Sequence, residues 1–432
     1  MTATGFAVKG WCPGALRPMP SGDGLLVRVR PRCGSLPTSA LAALAAAADR
    51  FGNGSIDLTR RANLQIRGVS TASLAPLLAA IGALGLLDED PRLEAIRNIA
   101  VNPLAGLDPS EVVDVRPIAQ NLEDLLMREI DLARLPGKFA FAIDGRGVLP
   151  IAGLDADIRL EARGKPQDAV MAIGLAGAAG VRWLGATRPE HAATMAVRVA
   201  RSLLQASQAA DRRARALPPA AVDALRASLS LAEAPGIGSA MGGGRHARRG
   251  PIALAGGRHV VGIGVAFGRF ESKTLVALAQ ALASAGASEI RLSPWRTIYA
   301  CPVDGDGDGG ARLVAAARGM GLIVDDGDPM LRVDACPGAP FCGATALATR
   351  RDARALAMLF ARAKFTGSLH VSGCAKGCAR SAPADLALVG DGGGYLVVYG
   401  GTTRDRAADT LRPGDIAARG GDLLAASGGD DV

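Results

Sequence analysis

Shifted against itself by 234 residues, the chain matches its own second half, and this duplication restricts the available folds more than any other feature. The segment VRVRPRCGSLPTSALAALAAAADRFGNGSIDLTRRANLQI lies without a gap on VGIGVAFGRFESKTLVALAQALASAGASEIRLSPWRTIYA, pairing Gly34 with Gly268, Gly52 with Gly286, and Ile56 to Thr59 with Ile290 to Ser293. Each copy reads as strand, helix, strand. The first part alternates in polarity, the middle is rich in Ala and Leu behind a Thr or Ser start, and the last part alternates again. Such a half unit leaves a sheet edge and an apolar face incomplete, so two copies are expected to complete one another across a pseudo-twofold axis.

The second copy alone carries a chemical signature. Cys336 and Cys342 stand as C-x5-C, and after 31 residues Cys374 and Cys378 stand as C-x3-C. Four thiolates from two Gly- and Pro-rich loops suit a 4Fe-4S cube, with backbone amides free to approach its sulfurs. Zinc is the rival metal, but its paired cysteines usually stand two to four residues apart, and the wider first gap favours the larger core. At the same offset Asn102 falls on Cys336 and Asp108 on Cys342; at an offset of 230, Asp144 and Val148 fall on Cys374 and Cys378. One cluster per chain is the expectation. Cys12, Cys33 and Cys301 lack partners at ligand spacing and read as plain thiols.

Composition narrows the function classes. Apolar residues make up 49% and aromatics 3%, so the cores must be built from Ala, Leu and Val. The start of the chain shows no continuous apolar signal region, and its apolar run from Leu74 to Leu87 is too short to span a bilayer and contains Pro76. A cytoplasmic protein without membrane contact is expected, with thiols used for metal rather than disulfides. The net charge of +8 suits a polyanionic small molecule better than nucleic acid, for which three Tyr, three Trp and nine Phe offer few stacking platforms. No Gly-rich dinucleotide or nucleotide-phosphate motif is present, so electrons must come from an external donor. Residues 209–257, with DRRARALPP and GIGSAMGGGRHARRGP, read as a linker. GDGDGG from Gly305 and GDGGG from Gly390 read as turns.

Taken together, the duplication and the cysteine spacing resemble the nitrite and sulfite reductase family, whose members repeat a ferredoxin-like half domain followed by a cluster- and sirohaem-binding domain. The resemblance implies an α+β fold of two pseudo-twofold-related repeats, each a ferredoxin-like half domain followed by a 4Fe-4S-type α/β domain. Its boundaries would be 1–85 and 86–208 for the first repeat, 258–325 and 326–410 for the second, with a C-terminal tail at 411–432. It implies that Cys336, Cys342, Cys374 and Cys378 hold a 4Fe-4S cluster, the last also bridging to sirohaem iron in the relatives. Arg61, Asn63, Gln65 and Arg67 in LTRRANLQIRG, Arg97 in IRN and Lys138 in LPGKF match positions that line the tetrapyrrole and anion site. On a strand the first four would share one face while Ala62, Leu64 and Ile66 point to the core, giving a wall suited to carboxylates. Lys376, inside the second cysteine loop, would act on the cluster charge or on a substrate carboxylate.

Two departures redirect the expected activity. The reductases place a second lysine where this chain has Ala140, and commonly an Asn where it has Lys376. These features resemble a branch in which the tetrapyrrole is substrate rather than cofactor. The implied activity is an oxygen-dependent monooxygenase of aerobic cobalamin biosynthesis that hydroxylates precorrin-3A at C20 and closes a ring A lactone. Its electrons would pass from an external NADH-linked donor or reductase through the cluster to dioxygen. A mononuclear non-haem iron is a candidate second cofactor, although His191, His246, His259 and His370 form no metal-binding pair. The alternatives are a sirohaem-dependent sulfite or nitrite reductase, and a zinc protein that binds nucleic acid.

Overall fold

The structure is a computed structural model that describes residues 11–151, 153–206, 213–233, 248–303 and 308–427. Four five-stranded sheets organise them. Strands Met19–Ser21, Gly24–Val29, Leu64–Val69 and Ser55–Leu58 form one sheet, and its last place is taken by Arg269–Glu271 of the other repeat. Reciprocally, Gly250–Ala253, His259–Gly264, Thr297–Ala300 and Glu289–Leu292 are closed by Ser35–Pro37 of the first. The exchanged strands pair antiparallel, Phe270 opposite Ile56 and Leu36 opposite Ile290. Each repeat thus covers the other's open edge.

The exchange divides what the alternation suggested was a single strand. Cys33 and Phe267, at equivalent places, adopt left-handed backbone with φ of 51° and 60°, and there the chain leaves one sheet for the other. Helices Thr38–Phe51 and Ser272–Ser284 follow and pack on each other. Their buried Leu41, Leu44, Ala45 and Ala48, and Leu275, Leu278, Ala279 and Leu282, recur at helical spacing. These residues join Val27, Ile56, Ile66 and Ile298 in one core common to both repeats.

The other two sheets belong one to each repeat. In the first, Ile99–Val101, Phe141–Asp144 and Ile158–Arg163 run parallel, and Val170–Gly177 and Gly180–Thr187 continue antiparallel. In the second, Val333–Ala335, Leu369–Ser372 and Ala384–Asp391 run parallel before Gly394–Gly401 and Asp409–Leu411. Strand register corrects the alignment here. Ile99 lies opposite Phe141 and Val333 opposite Leu369, so the later part repeats at an offset of 228 rather than 230. Arg146 and Pro150 therefore take the places of Cys374 and Cys378, in place of Asp144 and Val148. Neither is a thiol, and the first copy still lacks a ligand set.

Two boundaries also change. Pro219–Leu229 is a helix whose Val222, Leu225 and Leu229 pack into the first repeat's core, so this part of the linker belongs to that domain. Apolar residues at helical spacing behind an N-terminal proline explain it. The rest of the linker expectation, at 209–212 and 234–247, lies outside the described residues, as do His246 and Gly305 to Gly307. The tail is likewise part of a domain: helix Ile416–Ser427 packs on helix Thr349–Arg362, with Ile416 and Leu423 buried. The Gly390 turn stands as read, joining two hairpin strands through Gly392 and Gly393.

Candidate functional site

Both cysteine loops leave the same edge of one parallel pair. Strand Val333–Ala335 ends immediately before Cys336, and its neighbour Leu369–Ser372 ends two residues before Cys374. Parallel strands present the loops after their carboxyl ends side by side, the usual place for a ligand in an α/β layer. The Gly373 N–H donates to Cys336 Sγ at 3.2 Å, tying one loop to the other. Thr349 Oγ1 donates to the Cys336 carbonyl at 2.7 Å, and Ser372 Oγ to the Cys374 carbonyl at 2.8 Å. Thr403 Oγ1 donates to the Ala375 carbonyl at 2.9 Å. In the first repeat the equivalent Gly145 N–H donates instead to Asn102 Oδ1 at 3.0 Å, and the Val148 N–H to Asp108 Oδ2 at 2.6 Å. Side-chain amide and carboxylate close there the space that thiols border here.

The four thiols lie near enough to act on one another. Desolvation pushes the Cys378 thiol up and Lys376 pulls it down, while charge at Cys336, Cys374 and Cys342 pushes it up again. Cys336 is buried, Cys342 and Cys374 half-buried, and Cys378 exposed, so the last thiol stands on the open side. Among the described residues no three His, Cys, Asp or Glu side chains stand so as to hold one metal ion. A tetrahedral zinc site with bonds of about 2.3 Å needs its sulfurs roughly 3.8 Å apart, whereas a cube takes one thiolate at each of four irons. The donor set fits the cube. The described residues also assemble no protein site for the mononuclear iron considered from the sequence. His370 is 1% exposed, its Nε2 has no partner, and burial lowers it to about 4, against the pull of Asp334.

The anticipated basic wall is only partly built. The strand begins at Leu64, so Arg61 and Asn63 precede it, and Ala62 has a φ of 54°. The buried Asn63 instead donates its N–H to Thr59 Oγ1 at 3.2 Å in that turn. Leu64, Ile66 and Ala62 do enter the core. Arg61 Nη2 donates to the Lys138 carbonyl at 3.0 Å, and its Nη1 is buried without a partner. Lys138 is exposed beside it. Gln65 Oε1 accepts from Arg28 Nε at 3.2 Å and Nη2 at 2.7 Å. Arg28, opposite Gln65 in register, joins this basic group, and the sequence reading did not include it. The alternating VRVR segment was the available signal. Burial, with Arg30 adding to it, lowers Arg28 to about 10, so it remains charged at neutral pH.

Arg67 and Arg97 are placed elsewhere. Arg67, 2% exposed, pairs with Asp23 at 2.8 Å and Asp57 at 3.4 Å, and donates to Ser21 Oγ and the Phe341 carbonyl. Arg97 pairs with Asp88 at 2.7 Å and Glu123 at 3.5 Å, and donates to the Arg30 carbonyl. Buried arginine needs acceptors for all its donors, and these acids supply them within the protein. Lys376 is exposed on the cysteine loop. At 234 residues from Arg61, Gln65 and Arg67 stand Trp295, Tyr299 and Cys301, which pack against Val148, Leu149 and Leu104. The first repeat's own loop fills that second wall with apolar side chains.

Comparison with known proteins identifies the class that this geometry defines. Residues 17–84 match the nitrite/sulfite reductase ferredoxin-like half domain, and residues 93–247 match the nitrite and sulphite reductase 4Fe-4S domain. Both matches fall on the first repeat and the segment that follows it. The solved structure of the Mycobacterium tuberculosis NirA protein superposes with a TM-score of 0.74 at 20% identity, covering 91% of this chain and 79% of that one. A ferredoxin–nitrite reductase of Synechococcus elongatus is 37% identical over 30% of the chain and 26% of its own length. The chain belongs to the nitrite and sulfite reductase family. Within it, the long match is to a precorrin-3B synthase of Sinorhizobium, 36% identical over 91% of this chain and 83% of that protein. The chain is an oxidoreductase of that branch.

Proposed function

We propose that the chain converts precorrin-3A to precorrin-3B in aerobic cobalamin biosynthesis, by oxygen-dependent hydroxylation at C20 and closure of a ring A lactone. The observation that carries this reading is the 36% identity to a precorrin-3B synthase over 91% of the chain. The monooxygenase balance is that one atom of dioxygen enters the C20 position and the other leaves as water, with two electrons and two protons supplied from an external NADH-linked donor. A 4Fe-4S cluster held by Cys336, Cys342, Cys374 and Cys378 supplies one-electron transfer when bound.

The chain's own residues bind and orient the substrate. Arg61, with its unpaired Nη1, and Arg28, held flat by Gln65, offer guanidiniums to the carboxylates of the tetrapyrrole, and Lys138 adds a third charge. Asn63, in the turn before the strand, and Lys376, exposed on the cysteine loop, complete the set of side chains assigned to the substrate on this reading. Ala140 leaves without a cation the place where the reductases bind a small oxyanion, which favours a tetrapyrrole substrate over nitrite or sulfite. The test is conversion under 18O-labelled dioxygen with a reductant, read by mass spectrometry. One labelled oxygen in the C20 hydroxyl supports the reading; an unlabelled product, or turnover of sulfite or nitrite with bound sirohaem, overturns it.

A further inference from the structure

Beneath the cysteine loops, arginines outnumber the carboxylates they pair with, from the buried Arg67 to the half-exposed Arg60. Asp57 receives Arg269 at 2.8 Å and both Arg67 and Arg350 at 3.4 Å. Asp23 takes the other side of Arg67 at 2.8 Å. Asp334, two residues before Cys336, is shared by Arg60, Arg296 and Arg380, the last two at 3.4 Å. Arg296 joins the two groups, since it feels both Asp334 and Asp57. In the ion pairs of the described residues six guanidiniums therefore share three carboxylates. Arg269 Nη1 and Arg350 Nε are buried with no acceptor.

This charge reaches the cluster loop itself. Arg269 and Arg67 lie over the Phe341 ring at 4.4 and 5.9 Å, and Arg67 Nη2 donates to the Phe341 carbonyl at 3.0 Å. Phe341 immediately precedes Cys342. A guanidinium keeps its charge at any physiological pH. In a medium of low effective dielectric, a fixed positive charge stabilises whichever neighbouring state is more negative.

We propose that this excess of arginine is a fixed counter-charge for the iron–sulfur cluster, stabilising its reduced form and raising its reduction potential. The inference rests on the cluster reading above. A cube with four thiolates is an anion, and reduction adds one more negative charge, so each nearby guanidinium favours the reduced state and each aspartate opposes it. Arg67, Arg269, Arg296 and Arg350 here act through the field, and the first two also through Phe341.

The experiment is a redox titration, followed by electron paramagnetic resonance, of the full-length, cluster-loaded protein and its Arg296→Met, Asp334→Asn and doubly substituted variants. Arg296→Met should lower the midpoint and Asp334→Asn should raise it. Each shift should be on the order of tenfold in the one-electron equilibrium, or about 59 mV. The double variant should return near the parent. Opposite signs separate a field effect from damage to the loop, which would move both variants the same way. Should Arg296→Met lose its iron, Arg350→Met carries the same predicted sign. Shifts of one sign, or none, in a protein that holds its cluster overturn the counter-charge alone; a parent protein with no reducible cluster overturns the cluster reading as well.

Discussion

Arg67, on a strand of the first repeat, donates to the main-chain carbonyl of Phe341 at 3.0 Å, and Phe341 is the residue before Cys342. The Cys342 loop of one repeat is thus held by the sheet of the other. The same contact includes Ser21 Oγ, which donates to that carbonyl at 3.2 Å. It also includes Gly22, where an added Cβ would stand 2.5 Å from the Gly343 nitrogen.

Arg67→Met removes the grip and leaves Asp23 and Asp57 short of a partner. Breaking a buried pair from one side costs about 3–5 kcal/mol, so the urea midpoint should fall clearly. Iron content per chain should fall with it, because the Cys342 loop loses its anchor. A variant with parental iron content and midpoint would show that Arg67 serves some other purpose.

Arg61 and Arg97 should behave differently although both match the family's anion-site motif. If Arg61 binds substrate as proposed, Arg61→Met should cost about 1.5–3 kcal/mol, or roughly ten- to hundredfold in KM for the tetrapyrrole, with little change in Tm. Arg97→Met deprives Asp88 and Glu123 of their shared cation and should lower Tm while leaving KM near the parent. Steady-state kinetics beside thermal melts distinguish the two roles.

Cys374→Ser should abolish the iron–sulfur absorption, whereas Cys33→Ser should leave it. Cys33 lies outside both loops, and burial, with Glu123 adding to it, pushes its thiol up to about 11. Iron analysis of the two variants is sufficient. Loss of iron from both would mean that the ligand set is not the one assigned.

Stability should depend on pH in two windows. Burial opposes ionisation of Asp57, but Arg350, with Arg269 and Arg67, outweighs it and draws the group from 3.8 down to about 2. The stabilisation is complete above about pH 4 and is lost as pH falls toward 2. His370 acts higher up, because burial lowers it from 6.5 to about 4. Between those values the unfolded chain binds more protons than the native one, so stability falls by roughly 3 kcal/mol as pH drops through that range. Urea midpoints should lose the upper window in His370→Gln and the lower one in Asp57→Asn.

The repeated unit and the cysteine loops were legible because each is local: a run of pattern, or a spacing. The strand exchange was not, since Cys33 and Phe267 take left-handed backbone that their residue types do not announce. Gln65 and Arg67 do lie on one strand as the alternation predicted, but which carboxylates meet Arg67 depends on Asp23 and Asp57, brought in by neighbouring strands. Arg28 was hidden for the same reason, being placed by register across the sheet. The shift from 230 to 228 arose because residue similarity over a short segment fixes an offset only loosely, whereas strand pairing fixes it at each residue.

The most direct test of the central claim uses protein purified without oxygen, its iron counted and its absorption recorded, then incubated with precorrin-3A, dioxygen and a reductant. About four irons per chain, a broad iron–sulfur band, no sirohaem bands and oxygen-dependent formation of the hydroxylated lactone are the predicted result. Bound sirohaem, with turnover of sulfite or nitrite and none of precorrin-3A, would contradict it.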